Sequence, residues 1–318
     1  MNIQQKRSQN FCAITMWCDM VQHFISVRDL KRDTIDSLLD KADIIQKKWP
    51  HDNPLHDKIL GLLFFEPSTR TRMSFESAML RLGGSCLNLG GPEVSSVSKG
   101  ETLADTIRVI NGYVDALVLR HPRIGAAQMA CEFSHVPVIN GGDGSGQHPS
   151  QTLIDLFTIR ETMSLDNINI GMLGDLNYGR TTHSLAYALS KYQATIHTVS
   201  PEGLGFPYPV IHNLEQMGVN VIIHPTIEEI ITDLDVLYVT RIQRERFPDA
   251  ASYLHVASSY KVVPELFTDV RENLIVLHPL PRLDEIDPRV DDLPYARYFR
   301  QSENGIPVRM AMLQEVLL

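Results

Sequence analysis

The sequence predicts an α/β protein of two doubly wound domains, each a parallel β-sheet flanked by helices. Three observations carry that reading. Short apolar runs that read as buried strands alternate with segments of helical spacing in both halves of the chain. Polar or glycine-containing loops follow those strands directly. The length of 318 residues, with 43% hydrophobic content, is enough for two cores of about 150 residues each.

The formal net charge of −9 speaks against a general nucleic-acid or polyanion binder, which carries a broad basic surface. Basic residues gathered in motifs are therefore informative. Cys12, Cys18, Cys86 and Cys131 are scattered without a C-x-x-C pair, which gives neither a disulfide framework nor a zinc signature. The Phe11 to Trp17 run is too short to span a bilayer and lacks a small-residue cleavage site. The expectation is a soluble cytoplasmic protein, without targeting peptide, membrane or nucleic-acid partner. Residues Met1 to about Gln22 show no clear period and receive no role.

In chain order, Leu30, Ile35, Leu38, Leu39, Ala42 and Ile45 mark one face of an amphipathic helix with Asp33 as its expected N-cap. Ile59 to Phe65 reads as a buried strand, and Phe75, Ala78, Met79 and Leu82 then recur at helical spacing until Gly83-Gly84 stops the helix. Between strand and helix lies Glu66-Pro67-Ser68-Thr69-Arg70-Thr71-Arg72. One hydroxyl caps a helix; three hydroxyls and two guanidinium groups exceed that need. Free N–H groups, the positive end of the helix dipole, short hydroxyls and Arg together suit a tetrahedral dianion, so the turn reads as a phosphate cradle.

Ser85 to Leu89 is a short strand candidate, followed by a loop through Ser95-Ser96-Val97-Ser98-Lys99-Gly100-Glu101. By itself this is an ordinary surface loop, or an arm able to carry a cation to an anion off its own domain. Val114 to Leu119 reads as a strand delivering Arg120-His121-Pro122 at its C-terminal end, where α/β folds place ligand groups. A helix over Ala126 to Phe133 and a strand over Val136 to Ile139 follow. Gly141 to Gly146 permits close approach to a ligand, leads into His148-Pro149-Ser150-Gln151, and contains no credible dinucleotide fingerprint. A helix with Leu153, Leu156, Phe157 and Ile159 on its apolar face comes next.

Ile168 to Leu173, Thr195 to Val199, Val219 to Ile223, Val236 to Val239 and Leu274 to Leu277 read as the strands of a second parallel sheet. Arg180 lies in a loop entering a helix, where an anion meets both a guanidinium and a helix N-terminus. Thr240-Arg241-Ile242-Gln243 follows the fourth of these strands, and His278-Pro279-Leu280-Pro281-Arg282 follows the last. Arg300-Gln301 and the apolar Met310 to Leu318 segment read as a C-terminal helix.

Ser68 to Arg72, together with the Ser95 to Glu101, Arg120-His121-Pro122, His148 to Gln151, Arg180, Arg241 to Gln243 and His278 to Arg282 runs, resembles the aspartate and ornithine carbamoyltransferases, in the family's order and from about Ile25 to Leu318. The resemblance implies a carbamoyl-phosphate-binding domain over 1–149, joined by a returning C-terminal helix at about 300–318, and an amino-acid-binding domain over 150–299. It implies carbamoyl-phosphate contacts by Ser68, Thr69, Arg70, Thr71, Arg120, His148, Gln151, Pro279 and Leu280, with Ser95 and Lys99 arriving from a neighbouring subunit of a homotrimer. Arg70, Thr71, Lys99, Arg120 and His148 would act in catalysis. His278-Pro279-Leu280-Pro281 resembles the aspartate branch rather than the His-Cys-Leu-Pro of the ornithine branch, so Arg180, Arg241, Gln243 and Lys99 would hold aspartate. Asn177 stands where the family often has Lys. The implied reaction is carbamoyl transfer from carbamoyl phosphate to L-aspartate in pyrimidine synthesis, with no cofactor, no metal and no covalent enzyme intermediate. Association with regulatory chains or a dihydroorotase is left open. Alternatives are a carbamoyltransferase for another amino acid or a silent paralogue with a structural or regulatory role.

Overall fold

The computed structural model describes residues 22–89, 100–242 and 260–318. The chain divides into two compact units, residues 1–150 with 306–318 and residues 151–305.

The first unit opens with α1 (Arg32–Lys47), whose buried face is Ile35, Leu38, Leu39, Ala42 and Ile45. Its N-cap is Lys31, without a side-chain cap bond, and the expected cap Asp33 lies inside the first turn. An acid there still complements the helix dipole. Next come β1 (Ile59–Phe64), α2 (Thr69–Arg81), β2 (Ser85–Asn88), α3 (Leu103–Ile110), β3 (Ala116–His121), α4 (Ala126–Phe133) and β4 (Val138–Asp143). The four strands form one parallel sheet in the order β2-β1-β3-β4. Leu63, Leu117, Leu119 and Val138 from the strands and Ile107, Ala127, Ala130 and Cys131 from the helices form one buried cluster. Each fully buried Leu or Val contributes about 1.5–3 kcal/mol; β1 is apolar throughout and buried from Leu60 to Phe64, whereas the edge strand β2 is largely exposed. The helix α2 stops as its sequence dictates. Gly83 takes φ +84 and its N–H bonds Leu80 O while Gly84 N–H bonds Met79 O, the paired bonds of a glycine-terminated helix.

Two strands of the first unit run on beyond the sequence expectation. β3 includes Arg120 and His121 rather than ending before them. β4 runs on through Gly141, Gly142 and Asp143, all buried. The glycine run is thus built partly into the sheet. The Asp143 carboxylate then accepts from Gly125 N–H at 2.8 Å, Asn140 Nδ2 at 3.0 Å and Gln147 N–H at 2.8 Å, tying down the turn that leads to His148.

The second unit contains β5 (Asn169–Leu173), α6 (Arg180–Leu189), β6 (Thr195–Val199), α7 (Tyr208–Gln216), β7 (Asn220–His224), β8 (Val236–Val239) and β9 (Ile275–Leu277). Helix α5 (Pro149–Arg160) begins in the first unit and continues in the second. The sheet is parallel throughout, in the order β7-β6-β5-β8-β9. Leu173, Leu234, Leu237, Val239, Val276, Ile286 and Tyr298 belong to one buried apolar cluster. The C-terminal segment is two helices, α8 (Tyr298–Glu303) and α9 (Gly305–Leu317). In the first unit α9 is held by Lys41 to Glu315 at 2.5 Å and by Arg309 lying 4.9 Å over the Phe75 ring.

Gly174, which ends β5, has φ +118, and a Cβ there would sit 2.2 Å from Thr240 O. Gly174→Ala is expected to destabilise the fold by at least about 1–3 kcal/mol from backbone strain alone, read as a lower thermal midpoint. An unchanged midpoint would contradict this packing.

Candidate active site

Both sheets reverse their strand order once, beside the strand that comes first in the chain within each unit. In the first unit the reversal lies between β1 and β3, and in the second between β5 and β8. Helices leave to opposite faces at such a point, so a crevice opens at the C-terminal ends of the two strands. Ser68 to Thr71 follow β1 and Arg120 lies near the end of β3 at the first of these points, and Arg180 and Arg241 follow β5 and β8 at the second.

In the first unit Ser68 caps α2 in extended conformation, and its side chain makes no cap bond. Thr69 and Arg70 are exposed, Thr71 is buried, and the first turn contains no acid. A helix start usually attracts acids; this one presents Arg70 and Arg72 instead, an arrangement that suits an incoming anion. Arg120 stands opposite Phe64 in the β1–β3 pairing and at a register shift between β3 and β4. Such irregularities re-aim side chains. Its buried guanidinium donates through Nη2 to Glu66 Oε1 at 2.6 Å and through Nη1 to Gly141 O at 3.1 Å, so the loops after β1 and β4 fix its direction. His148, buried, follows the turn after β4, with Ser150 Oγ 3.5 Å from its Nδ1.

In the second unit Arg180 is the first residue of α6, again a first turn without acid. Asp175 shapes the preceding loop by accepting from the N–H groups of Asn177 at 3.1 Å and Tyr178 at 3.0 Å. Arg241 follows β8, and the loops after β5 and β8 are stitched together by Thr240, whose N–H donates to Leu173 O at 2.8 Å and whose Oγ1 donates to the same carbonyl at 3.1 Å. The two arginines therefore follow neighbouring strands. Gln151 donates from Nε2 to the fully buried Asp155 at 2.8 Å. Ser95, Lys99 and Gln243 lie outside the described residues.

Pro279 and Leu280 follow β9 in a turn that includes a cis Leu280–Pro281 peptide and a left-handed Leu280, φ +51. The buried His278 holds it. Leu280 N–H donates to His278 Nδ1 at 2.8 Å, which leaves the imidazole proton on Nε2, 2.8 Å from Glu285 Oε1. Burial pushes the Glu285 carboxyl up, but the bonds from His278 and from backbone N–H groups outweigh it and hold the group below its ordinary value of 4.5. A carboxyl that is more acidic when folded contributes stability above its unfolded pKa and loses it as pH falls through the folded value. Wild-type stability is accordingly expected to fall more steeply below about pH 4.5 than that of Glu285→Gln, as measured by denaturant titration across pH. Parallel curves would contradict the pairing.

Residues 22–161 match the family model described as the aspartate/ornithine carbamoyltransferase carbamoyl-P binding domain, and residues 166–316 match that of the Asp/Orn binding domain. The chain belongs to the aspartate/ornithine carbamoyltransferase family. It is 68% identical over 298 residues to the aspartate carbamoyltransferase catalytic subunit of Methanospirillum hungatei, covering 94% of this chain and 100% of that relative. It is 64% identical over 297 residues to the corresponding subunit of Methanosphaerula palustris, covering 93% and 100%. The structure of the M. jannaschii aspartate transcarbamoylase catalytic subunit is similar at a TM-score of 0.86 and 50% identity, covering 93% of this chain and 97% of that one. Trypanosoma cruzi aspartate transcarbamoylase in complex with N-(phosphonacetyl)-L-aspartic acid gives a TM-score of 0.88 at 39% identity, covering 93% and 96%.

Within this carbamoyltransferase chain, Glu66, Asp155, Glu285 and Gln301 hold the candidates in place, and no sequence motif marks them for that part. A signal for one of them was present. Residues 152–159 of α5 are all buried, and an acid inside so apolar a helix has to find partners in the interior.

Proposed function

We propose that the protein transfers the carbamoyl group of carbamoyl phosphate to L-aspartate, giving N-carbamoyl-L-aspartate and phosphate. The observation that carries this reading is the pair Arg180 and Arg241 after neighbouring strands β5 and β8, because two planar guanidinium groups suit the two carboxylates of aspartate. The T. cruzi relative, 40% identical, has been crystallised with carbamoyl phosphate and aspartate, which supports the same substrates here.

In this reading residues 1–149 with the C-terminal helix bind carbamoyl phosphate, and 150–299 bind aspartate. Ser68, Thr69, Arg70 and Thr71 hold the phosphate. Thr71, Arg120 and His148 polarise the carbonyl, whose oxygen gains charge as the deprotonated amine attacks, while Gln151 receives the carbamoyl NH2. Donors aimed at that oxygen contribute a few kcal/mol. The backbone carbonyls of Pro279 and Leu280 accept from the substrate amines, and Arg180, Arg241 and Gln243 hold the carboxylates. The tetrahedral intermediate breaks its C–O bond, and the departing phosphate takes the amine proton. Orienting two anionic substrates can supply roughly 7–11 kcal/mol of the barrier reduction.

The site is completed across a homotrimer by Ser95 and Lys99 of an adjacent copy, and the reaction serves pyrimidine synthesis in the cytoplasm. The designation of the relatives as catalytic subunits supports association with further chains. Among the described residues no helix is long and apolar enough to cross a membrane. Phosphate release from carbamoyl phosphate, measured with aspartate and with ornithine at equal concentrations, tests the substrate. Aspartate should be preferred by orders of magnitude; equal turnover would contradict the assignment.

A further inference from the structure

Asp155 lies wholly inside the second unit, on α5, and gathers three donors. Oδ1 accepts from Gln151 Nε2 at 2.8 Å and from Gln301 Nε2 at 2.7 Å, and Oδ2 accepts from Tyr238 Oη at 3.0 Å. Each donor belongs to a different part of the candidate site. Gln151 is itself a proposed ligand of the carbamoyl group. Gln301, on α8, uses its other end, Oε1, to accept from His278 N–H at 2.9 Å, and His278 in turn holds Leu280 N–H. Tyr238 lies on β8, three residues before Arg241, and its hydroxyl is also bonded by Thr181, the neighbour of Arg180.

A buried carboxylate is costly unless its oxygens are satisfied. Asp155 is 0% exposed on a helix segment whose residues 152–159 are all buried, and its donors come from α5, β8 and α8. Their other bonds run to the turn after β9 and the start of α6. A network that joins separate loops through short, oriented bonds holds them in one mutual geometry. An apolar residue of the same volume would fill the space without that direction.

We propose that Asp155 is a positioning residue, whose buried carboxylate aims Gln151 and, through Gln301 and Tyr238, sets the loops carrying Leu280, Arg180 and Arg241. This rests on the carbamoyl-transfer reading given above. Misplacing reacting groups by about 1 Å can cost roughly 100-fold in rate. An isosteric Asn keeps one carbonyl oxygen for the two amides and can donate to Tyr238, so it should retain more activity than Leu. A role in packing alone would reverse that order, because Leu removes a buried charge.

The test compares Asp155→Leu, Asp155→Asn, Gln301→Met and Tyr238→Phe in the full chain, well below each thermal midpoint, with kcat and KM for aspartate expressed per folded chain. Wild type should turn over. Asp155→Leu should lose about 100-fold in kcat/KM, Asp155→Asn should recover part of it, and Gln301→Met and Tyr238→Phe should each lower kcat/KM while remaining folded. If Asp155→Leu does not fold, the other three decide. Folded Asp155→Asn, Gln301→Met and Tyr238→Phe with kcat and KM unchanged would overturn the positioning role alone. A wild-type chain without turnover would overturn the functional reading, and the positioning role with it.

Discussion

Arg70→Ala is expected to remove most turnover while leaving the fold as stable as before or slightly more so. The side chain is exposed and stands in the first turn of a helix that has no acid there. Truncating such a residue changes stability by no more than about 0.5 kcal/mol, and removing a cation from the positive end of a helix is favourable by about 0.3–1 kcal/mol. Activity should move the other way. Losing one donor aimed at developing negative charge costs about 100- to 1,000-fold in kcat. Paired measurements of kcat and thermal midpoint separate the two effects; a loss of activity that simply follows a fall in midpoint would assign Arg70 to the fold.

A second large effect is expected from mixing two inactive variants. If Arg70 serves its own chain and Lys99 serves the next, Arg70→Ala and Lys99→Ala homotrimers are each nearly inactive, because every site lacks one cation facing the phosphate. In a cyclic trimer containing both, one site pairs an intact Arg70 with an intact Lys99, so about one site per mixed trimer should work. Dissociation and joint reassembly, with mixed trimers verified by mass spectrometry, should recover activity. Mixed trimers as inactive as their parents would place both residues in the same chain's site.

Much of this architecture was legible in the sequence because buried parallel strands are continuous apolar runs. Thr195–Val199 and Val236–Val239 have the same limits in sequence and structure, as does helix Ala126–Phe133. Strand ends were less legible. Arg120 and Asp143 are polar, so an apolar pattern stops before them, yet both continue strands, with Gly141 and Glu66 accepting from Nη1 and Nη2 of the one and three donors bonding the carboxylate of the other. The site motifs were visible as crowded hydroxyls and guanidinium groups. Sheet order was not, and it is sheet order that brings the loop of Ser68 beside Arg120 and that of Arg180 beside Arg241. The supporting residues were hidden for a related reason. Asp155 and Gln301 are separated by 146 positions, and only the folded chain makes them neighbours.

The carbamoyl group is expected to go from carbamoyl phosphate to the amine of aspartate. Carbamoyl phosphate labelled with ¹³C at the carbonyl, incubated with the purified chain and L-aspartate and followed by NMR, tests it most directly. Conversion of the labelled resonance to N-carbamoyl-L-aspartate is expected, with one phosphate per product and no conversion above background when aspartate is omitted. Phosphate release without that product, or equal transfer of the label to ornithine, would contradict it.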